Sequence, residues 1–389
     1  MKILKTLMKV LAGLVVLLIF VFFSILPYLA QQKMNATRTS GPWSPSPEAA
    51  ALHATLSVVD LHADSLLWNR DLNQRNDIGH VDVPRLSEAN VAVQAFTVVT
   101  HAPMGKLYQD HAGKDNVVAI LVAAQRWPFR TWNSRLERAK HQAMKLAEFE
   151  TASGGQLSLI KSADDLTAFM QRRQSDPSLV AGFLGLEGEH ALEGDLKHVD
   201  TLFEAGFRMM APVHFFDNEV GGSAHGMKKG GLTALGRSVI ARQQELGILV
   251  DVAHGSEALI DDILSMATRP VVMSHGGVRG TCDNNRNLAN RHVDGIAKTG
   301  GVIGIGLWQT AVCGEDAAAT ARAIKYVANR VGVDHVGLGS DYDGTVKAPF
   351  DVTGLVLVTE ALMKEGFTKD EIGQIMGGNT LRVLSQVLP

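Results

Sequence analysis

The sequence predicts an α/β chain closed into a (β/α)8 TIM barrel with an N-terminal transmembrane helix. Three observations carry this expectation. Eight apolar runs, mostly β-branched or glycine-bearing, recur along the chain; helical patterns alternate with them; and polar side chains gather where the runs end. Alternating strand and helix imply a parallel sheet, and a closed parallel barrel assembles its chemistry at the carboxyl ends of the strands.

The first element is the N-terminal helix. Between residues 7 and 29 the only charge is Lys9, and residues 10–29 carry none. As a helix, about 20 such residues cover the roughly 30 Å of a bilayer's hydrocarbon core. Lys2, Lys5 and Lys9 precede the run, so the positive-inside bias puts the N-terminus in the cytoplasm and everything after Gln31 outside. A cleaved signal peptide has a shorter apolar core and a small-residue cleavage site; here Tyr28 stands where a small residue is wanted before Ala30. Residues 1–33 therefore read as an uncleaved signal-anchor of a single-pass protein, with the rest periplasmic or extracellular. Residues 34–48 (ending NATRTSGPWSPSP and one acid) read as a Pro/Ser-rich, stiff, extended linker. Its sequon, Asn35-Ala36-Thr37, is expected to stay unmodified. Residues 49–389 form the barrel domain.

The eight runs follow in order. SVVDLHAD ends in His62 and Asp64, which alternation places on one face. An irregular polar loop, 65–84, follows. VAVQAFTVVTH leads into a long, charged helical stretch over 112–150. GFLGLEGEH carries Glu187, a carboxylate that is costly at a buried strand end unless it is paired or bound to a cation. Glu189 shares its parity but, beyond Gly188, belongs to the loop. FRMMAPVH, GILVDVAH and RPVVMSH end in His214, His254 and His275. GGVIGIGLW is the seventh run, and HVGLGSDYDG the eighth, with Asp341 at its end and Asp343-Gly344 as turn chemistry. Helices are expected over 233–246 (Thr233 as N-cap, Gly247 as stop), 256–267, 317–331 and 351–365.

A lone histidine at a strand end is usually structural. Two on adjacent strands, His254 and His275, facing a His-x-Asp pair across a barrel, describe a metal site instead. A carboxylate such as Glu187 can bridge two divalent ions. Asp341 is placed to move a proton beside such ions. His214 either donates to a developing oxyanion or is structural, and Arg286 either pairs with a substrate carboxylate or faces solvent. The formal net charge of −3 offers no basic field, so nucleic acid is excluded as a partner. Cys282 and Cys313 follow the sixth and seventh runs, neighbours in a barrel; a disulfide and two unrelated thiols are the alternatives.

From about Ser57 to the C-terminus the chain resembles the membrane (renal-type) dipeptidases, zinc peptidases among the amidohydrolase-like barrels. The resemblance rests on VVDLHADSLLW, LGLEGEHAL, GLTALGRSVIARQQELGILVDVAHGS, PVVMSHGGVRG, RNLANR, VGLGSDYDG and GGNTLRVL. It implies two Zn2+ per subunit, one held by His62, Asp64 and Glu187, the other by Glu187, His254 and His275. It further implies that His214 contacts the scissile carbonyl, Arg286 binds the dipeptide's carboxylate, Asp341 shuttles the proton, and Cys282 pairs with Cys313. A homodimer and tolerance of a D-residue at the C-terminal position are also implied. Three departures bear on the substrate. Glu189 stands where relatives commonly have glycine and adds negative charge near the metals. Arg291 stands where relatives have an acidic stretch; it either favours an acidic substrate side chain or, more commonly for such a residue, is a solvated arginine. Trp308 is the one aromatic near the substrate after the seventh run. Another amidohydrolase, acting on lactones, cyclic amides or N-acyl amino acids, and a non-catalytic anchored binding protein that keeps its metals are the alternative readings.

Overall fold

The computed structural model describes residues 2–105 and 108–389; Met1 of the expected anchor and Lys106 and Leu107 of the expected barrel domain lie outside the described residues. Among the described residues nine strands form one parallel sheet: β1 (Val58–Ala63), β2 (Val91–Val99), β3 (Leu157–Leu159), β4 (Val180–Glu187), β5 (Phe207–Ala211), β6 (Leu249–Asp251), β7 (Val271–Val272), β8 (Ile303–Ile305) and β9 (Val336–Leu338). Eight of them run in the order β7-β6-β5-β4-β2-β1-β9-β8. The two ends of this path meet, because Met273, just beyond β7, bridges Ile303 of β8. Its N–H donates to Val302 O at 3.1 Å, and its carbonyl accepts from Gly304 N–H at 2.8 Å. The eight runs read from the sequence are thus the eight staves of a closed barrel.

The ninth strand, β3, is not among those runs. Its three residues, LSL, are too short for periodicity to mark. They pair with Val180–Gly182 of β4, before β5 takes over that edge from Leu184 onward.

Local chemistry sets the helices between. Thr233 caps the helix Ala234–Leu246 through a bond from Gly236 N–H, and Gly247 ends it in the left-handed conformation. Ser256 caps Glu257–Met266 in the same way. The helix Ala317–Val331 has the expected bounds, while the pattern over 351–365 begins with a 3-10 turn before Leu355–Lys364. The stretch 112–150 is not one helix. It splits into Val117–Ala124 and Arg135–Ala152, separated by Arg126 at φ 60° and by Pro128, which lacks the N–H a continuous helix needs.

The N-terminal helix runs from Lys2 to Met34 with a π-helical turn at Val21–Ile25. None of Lys2–Phe20 is buried, and the mean hydropathy of 2.9 and the length suffice to cross a membrane. The segment after it corrects the expectation of an extended tether. Asn35 is buried, with Oδ1 accepting from Thr345 N–H at 3.1 Å, and the backbone N–H groups of Arg38 and Thr39 donate to Ala348 O and Pro349 O. Trp43 donates from Nε1 to Thr353 Oγ1 at 2.8 Å. The segment is laced to the barrel rim, and the buried Asn35 amide has no space for a glycan.

Candidate metal centre and substrate cavity

Five strand ends deliver the polar groups. His62 lies within β1 and Asp64 just past it; Glu187 ends β4; His254, His275 and Asp341 follow β6, β7 and β9. All are at least nine-tenths buried. Glu187 is central: His254 Nε2 stands 2.9 Å and His275 Nε2 3.3 Å from its Oε1, and His214 Nε2 3.3 Å from its Oε2. His62 Nε2 faces carboxylates of Asp64, Glu187 and Asp341 at 3.5, 3.8 and 3.9 Å. Three overlapping ligand groups result: His62–Glu187–His275, Glu187–His214–His254 and His62–Asp64–Asp341.

Neighbouring side chains aim these groups. Thr97 Oγ1 donates to Asp64 Oδ1 at 2.6 Å. Ser274 Oγ lies 2.9 Å from His275 Nδ1 and 3.4 Å from His62 Nδ1, which leaves both Nε2 atoms facing the centre. His214 Nδ1 is 3.2 Å from His101 O. A carbonyl only accepts, so Nδ1 is the donor, and a neutral His214 turns a lone pair toward Glu187. His254 and Asp341 adopt φ 62° and 61°, a conformation unusual for residues with a Cβ. Gly344 makes room for Asp341, since a Cβ there would stand 2.1 Å from its Oδ1.

The donor set fits divalent cations. His62 Nε2 is buried and has no hydrogen-bond partner among the described residues, although three carboxylates face it. Burial pushes Glu187 up, Asp64 adding to the effect, and pushes Asp341 to about 8. Burial also holds His214, His254 and His275 well below their usual range, in the neutral, ligating form. For His62 burial opposes the charge, yet Asp64 and Glu187 raise it to about 10. A cation among these groups takes over that role and favours the ionised carboxylates and neutral imidazoles.

A cavity of about 450 Å³ opens over this floor. Asp64, Glu187, His214, His254, Arg286 and Asp341 all line it. Arg286 is buried, with Nη2 donating to His275 O at 2.9 Å. Two expected contributors lie elsewhere. Arg291 bonds Glu257 and Asp261 outside the cavity, so the extra cation does not reach a substrate. Glu189 is buried in a 3-10 turn and accepts from Gln243; burial raises it to about 8, so it adds no full negative charge. Trp308 is buried near the centre, its ring 5.8 Å from that of His275. Tyr108, which lines the cavity, was not singled out from the sequence; its polar loop has no periodic signal. Cys282 and Cys313 are bonded to each other, with Cα atoms 5.2 Å apart.

Two buried groups beside the centre also went unread. Asp60 accepts from Ser340 Oγ at 2.6 Å and Gln94 Nε2 at 2.9 Å. It shares the parity of His62 and Asp64, a signal available in VVDLHAD. Asp343, read as turn chemistry, is fully buried: it pairs with Arg70 and accepts from Ser65 Oγ at 2.6 Å and His80 N–H at 2.7 Å.

Residues 47–388 match the profile of the family described as membrane dipeptidase, peptidase family M19. Among curated proteins, the chain is 30% identical over 351 residues to dipeptidase aclJ of Aspergillus oryzae, covering 85% of this chain and 78% of that protein. It is 25% identical over 357 residues to dipeptidase 3 of Rattus norvegicus, covering 87% and 67%. Among solved structures, the metallopeptidase dipeptidase AC superposes with a TM-score of 0.71 at 22% identity, over 86% of this chain and 99% of that one. A Rhodobacter sphaeroides metallopeptidase liganded with a phosphinate mimic of L-Ala-D-Ala gives 0.69 at 22%, with the same coverage.

Proposed function

The chain belongs to the membrane dipeptidase family, peptidase family M19, a family of metallopeptidases, and we propose that it hydrolyses dipeptides with two Zn2+ bridged by Glu187. The observation that carries this reading is the convergence of His62, Asp64, Glu187, His254, His275, Asp341 and Arg286 on one cavity floor and its immediate surround. His62, Asp64 and Glu187 would hold one ion; Glu187, His254 and His275 the other. Bound there, zinc supplies Lewis acidity toward the scissile carbonyl and lowers the pKa of water.

The protein's own groups do the rest. Arg286 fixes the substrate carboxylate through its guanidinium fork. Asp341 takes the proton from the attacking water at a carboxylate oxygen and returns it to the departing amine. The resting His214 ring is neutral, with Nδ1–H directed at His101 O, so it donates from Nε2 to the developing oxyanion only after taking up a proton there with substrate bound. Tolerance of a D-residue at the C-terminal position is supported by the L-Ala-D-Ala mimic bound to the Rhodobacter relative.

Residues 1–33 act as an uncleaved anchor with a cytoplasmic N-terminus, 34–48 as the joint, and 49–389 as an extracytoplasmic catalytic domain. The lysines before the span support that orientation. The family implies a homodimer. Purified full-length protein treated with a chelator is expected to lose dipeptide hydrolysis and regain it with Zn2+, with two equivalents of zinc recovered per chain. Full activity in the chelator overturns the reading.

A further inference from the structure

The outer wall of the cavity is made by the membrane helix itself. Leu26, Ala30 and Met34 of that helix face Val117, Leu121 and Ala124 across a space continuous with Asp64, Glu187 and Asp341. Beside it, the connection between the helices Val117–Ala124 and Arg135–Ala152 lies against the same helix further toward its N-terminus: Phe129 and Trp132 share a groove with Val16, Ile19, Phe20 and Phe23. Phe129 is 75% exposed, Met104 53% and Ile120 43%. Met104 and Ile120 line the cavity itself, and Phe129 lies in the neighbouring groove along the helix. Arg126 donates to Phe23 O at 3.2 Å, which puts a guanidinium at the helix level where headgroups follow acyl chains. From Phe23 back to Val16 the helix descends about 10 Å, the depth to which interfacial segments enter a leaflet. The bonds from Asn35, Arg38 and Thr39 to the barrel rim fix this arrangement, so the domain does not swing on a free tether.

The ring order sets the direction of a bound substrate. Arg286 belongs to the loop after β7, and the apolar wall follows β2. In the path β7-β6-β5-β4-β2, β2 is the fourth strand from β7 and so stands opposite it in an eight-stranded barrel. A substrate with its carboxylate on Arg286 and its amide over the metal ligands points its N-terminal residue at that wall.

We propose that the Arg126–Trp132 connection seats in the outer leaflet beside the anchor, so that the cavity opens at the lipid surface and Leu26, Ala30 and Met34 select substrates with an apolar N-terminal residue. The selectivity half rests on the dipeptidase reading; the surface half does not.

Zinc-loaded full-length protein in phosphatidylcholine vesicles tests both halves. In a series of Xaa-Gly dipeptides whose N-terminal side chain lengthens from alanine to a straight eight-carbon chain, kcat/KM is expected to rise by about fourfold per methylene until the cavity is full. The double substitution Leu26→Ser and Met34→Ser is expected to flatten the series. A flat or falling series in the unaltered enzyme, with Ala-Gly cleaved, overturns the selectivity and leaves the dipeptidase reading standing; inert Ala-Gly overturns that reading and the selectivity with it. A nitroxide on Phe129→Cys is expected to be reached by oxygen and shielded from a water-soluble nickel chelate, whereas one on Ser385→Cys is reached by both. Equal exposure of the two positions to the chelate overturns the membrane seat, whatever the kinetics show.

Discussion

At the floor of the cavity, His62, Asp64, Glu187, His254, His275 and Asp341 come from five strand ends, each held by a hydrogen bond, an ion-pair distance or a fixed backbone twist. Along the outer wall, Leu26, Val117, Val118 and Leu121 come from two helices and offer a substrate only apolar surface. The floor is polar, buried and crowded with ionisable groups, so a change there acts on charge and on protons. The wall is apolar and nondirectional, so a change there acts on which substrate stays. One cavity thus separates chemistry from selection by depth.

The largest effect that would sharpen this contrast is at the floor. Asp341→Asn is expected to lower kcat by about 10²–10⁴-fold while bound zinc is unchanged; loss of zinc instead would make Asp341 a ligand rather than a proton carrier. Next is the support of the floor. Arg70→Met leaves Asp343 buried without its ion pair and is expected to cost about 3–5 kcal/mol of stability in urea unfolding. The sign with pH is fixed. Burial pushes Asp343 up, but Arg70 and then His80 outweigh it and hold its pKa below the usual carboxylate range. Its contribution is therefore present above about pH 4 and is lost as pH falls through the folded value, and Arg70→Met should weaken that acid dependence.

Between floor and wall, Arg286→Lys keeps the charge but not the bidentate fork, and KM for dipeptides is expected to rise about ten- to a hundredfold with kcat less affected. The smallest effect belongs to the wall. Val118, 1% exposed, replaced as Val118→Thr, sets a hydroxyl into the apolar surface. It is expected to lower kcat/KM for Leu-Gly relative to Ala-Gly by about two- to fivefold, without loss of zinc. An equal fall for both substrates would erase the division by depth.

The two regions also differ in how far the sequence exposed them. Strand alternation places His62 and Asp64 on one face from adjacent letters, and the apolar runs before Glu187, His254, His275 and Asp341 mark strand ends without reference to any partner. Those signals are local. Asp60 had the same parity and passed unread because one buried acid at a strand start resembles many others. Asp343 looked like a turn because its partner, Arg70, is 273 residues away, and no local pattern reports a pair so distant. The wall was hidden for a further reason. Hydropathy in residues 7–29 says that a helix is apolar, not which of its faces meets lipid and which meets the barrel, so Leu26 read only as membrane anchor. The lacing of 35–43 onto the rim was missed likewise, since it depends on contacts that composition does not encode, whereas the break after Ala124 had a local signal in Pro128.

The ring of strands closes where it is thinnest. β7 has two residues and β8 three, and their junction is carried by the few backbone bonds around Met273. His275 stands two residues past Met273, on a stave of that seam, so any parting there would carry a zinc-facing imidazole away from Glu187. The sulfur link between Cys282 and Cys313 joins the loops that leave these same two strands and closes a 31-residue separation, a restraint worth about 3–4 kcal/mol by loop entropy. It works as a clasp at the hoop's weakest joint, and a reducing milieu would loosen the barrel first on the side that carries His275 and Arg286.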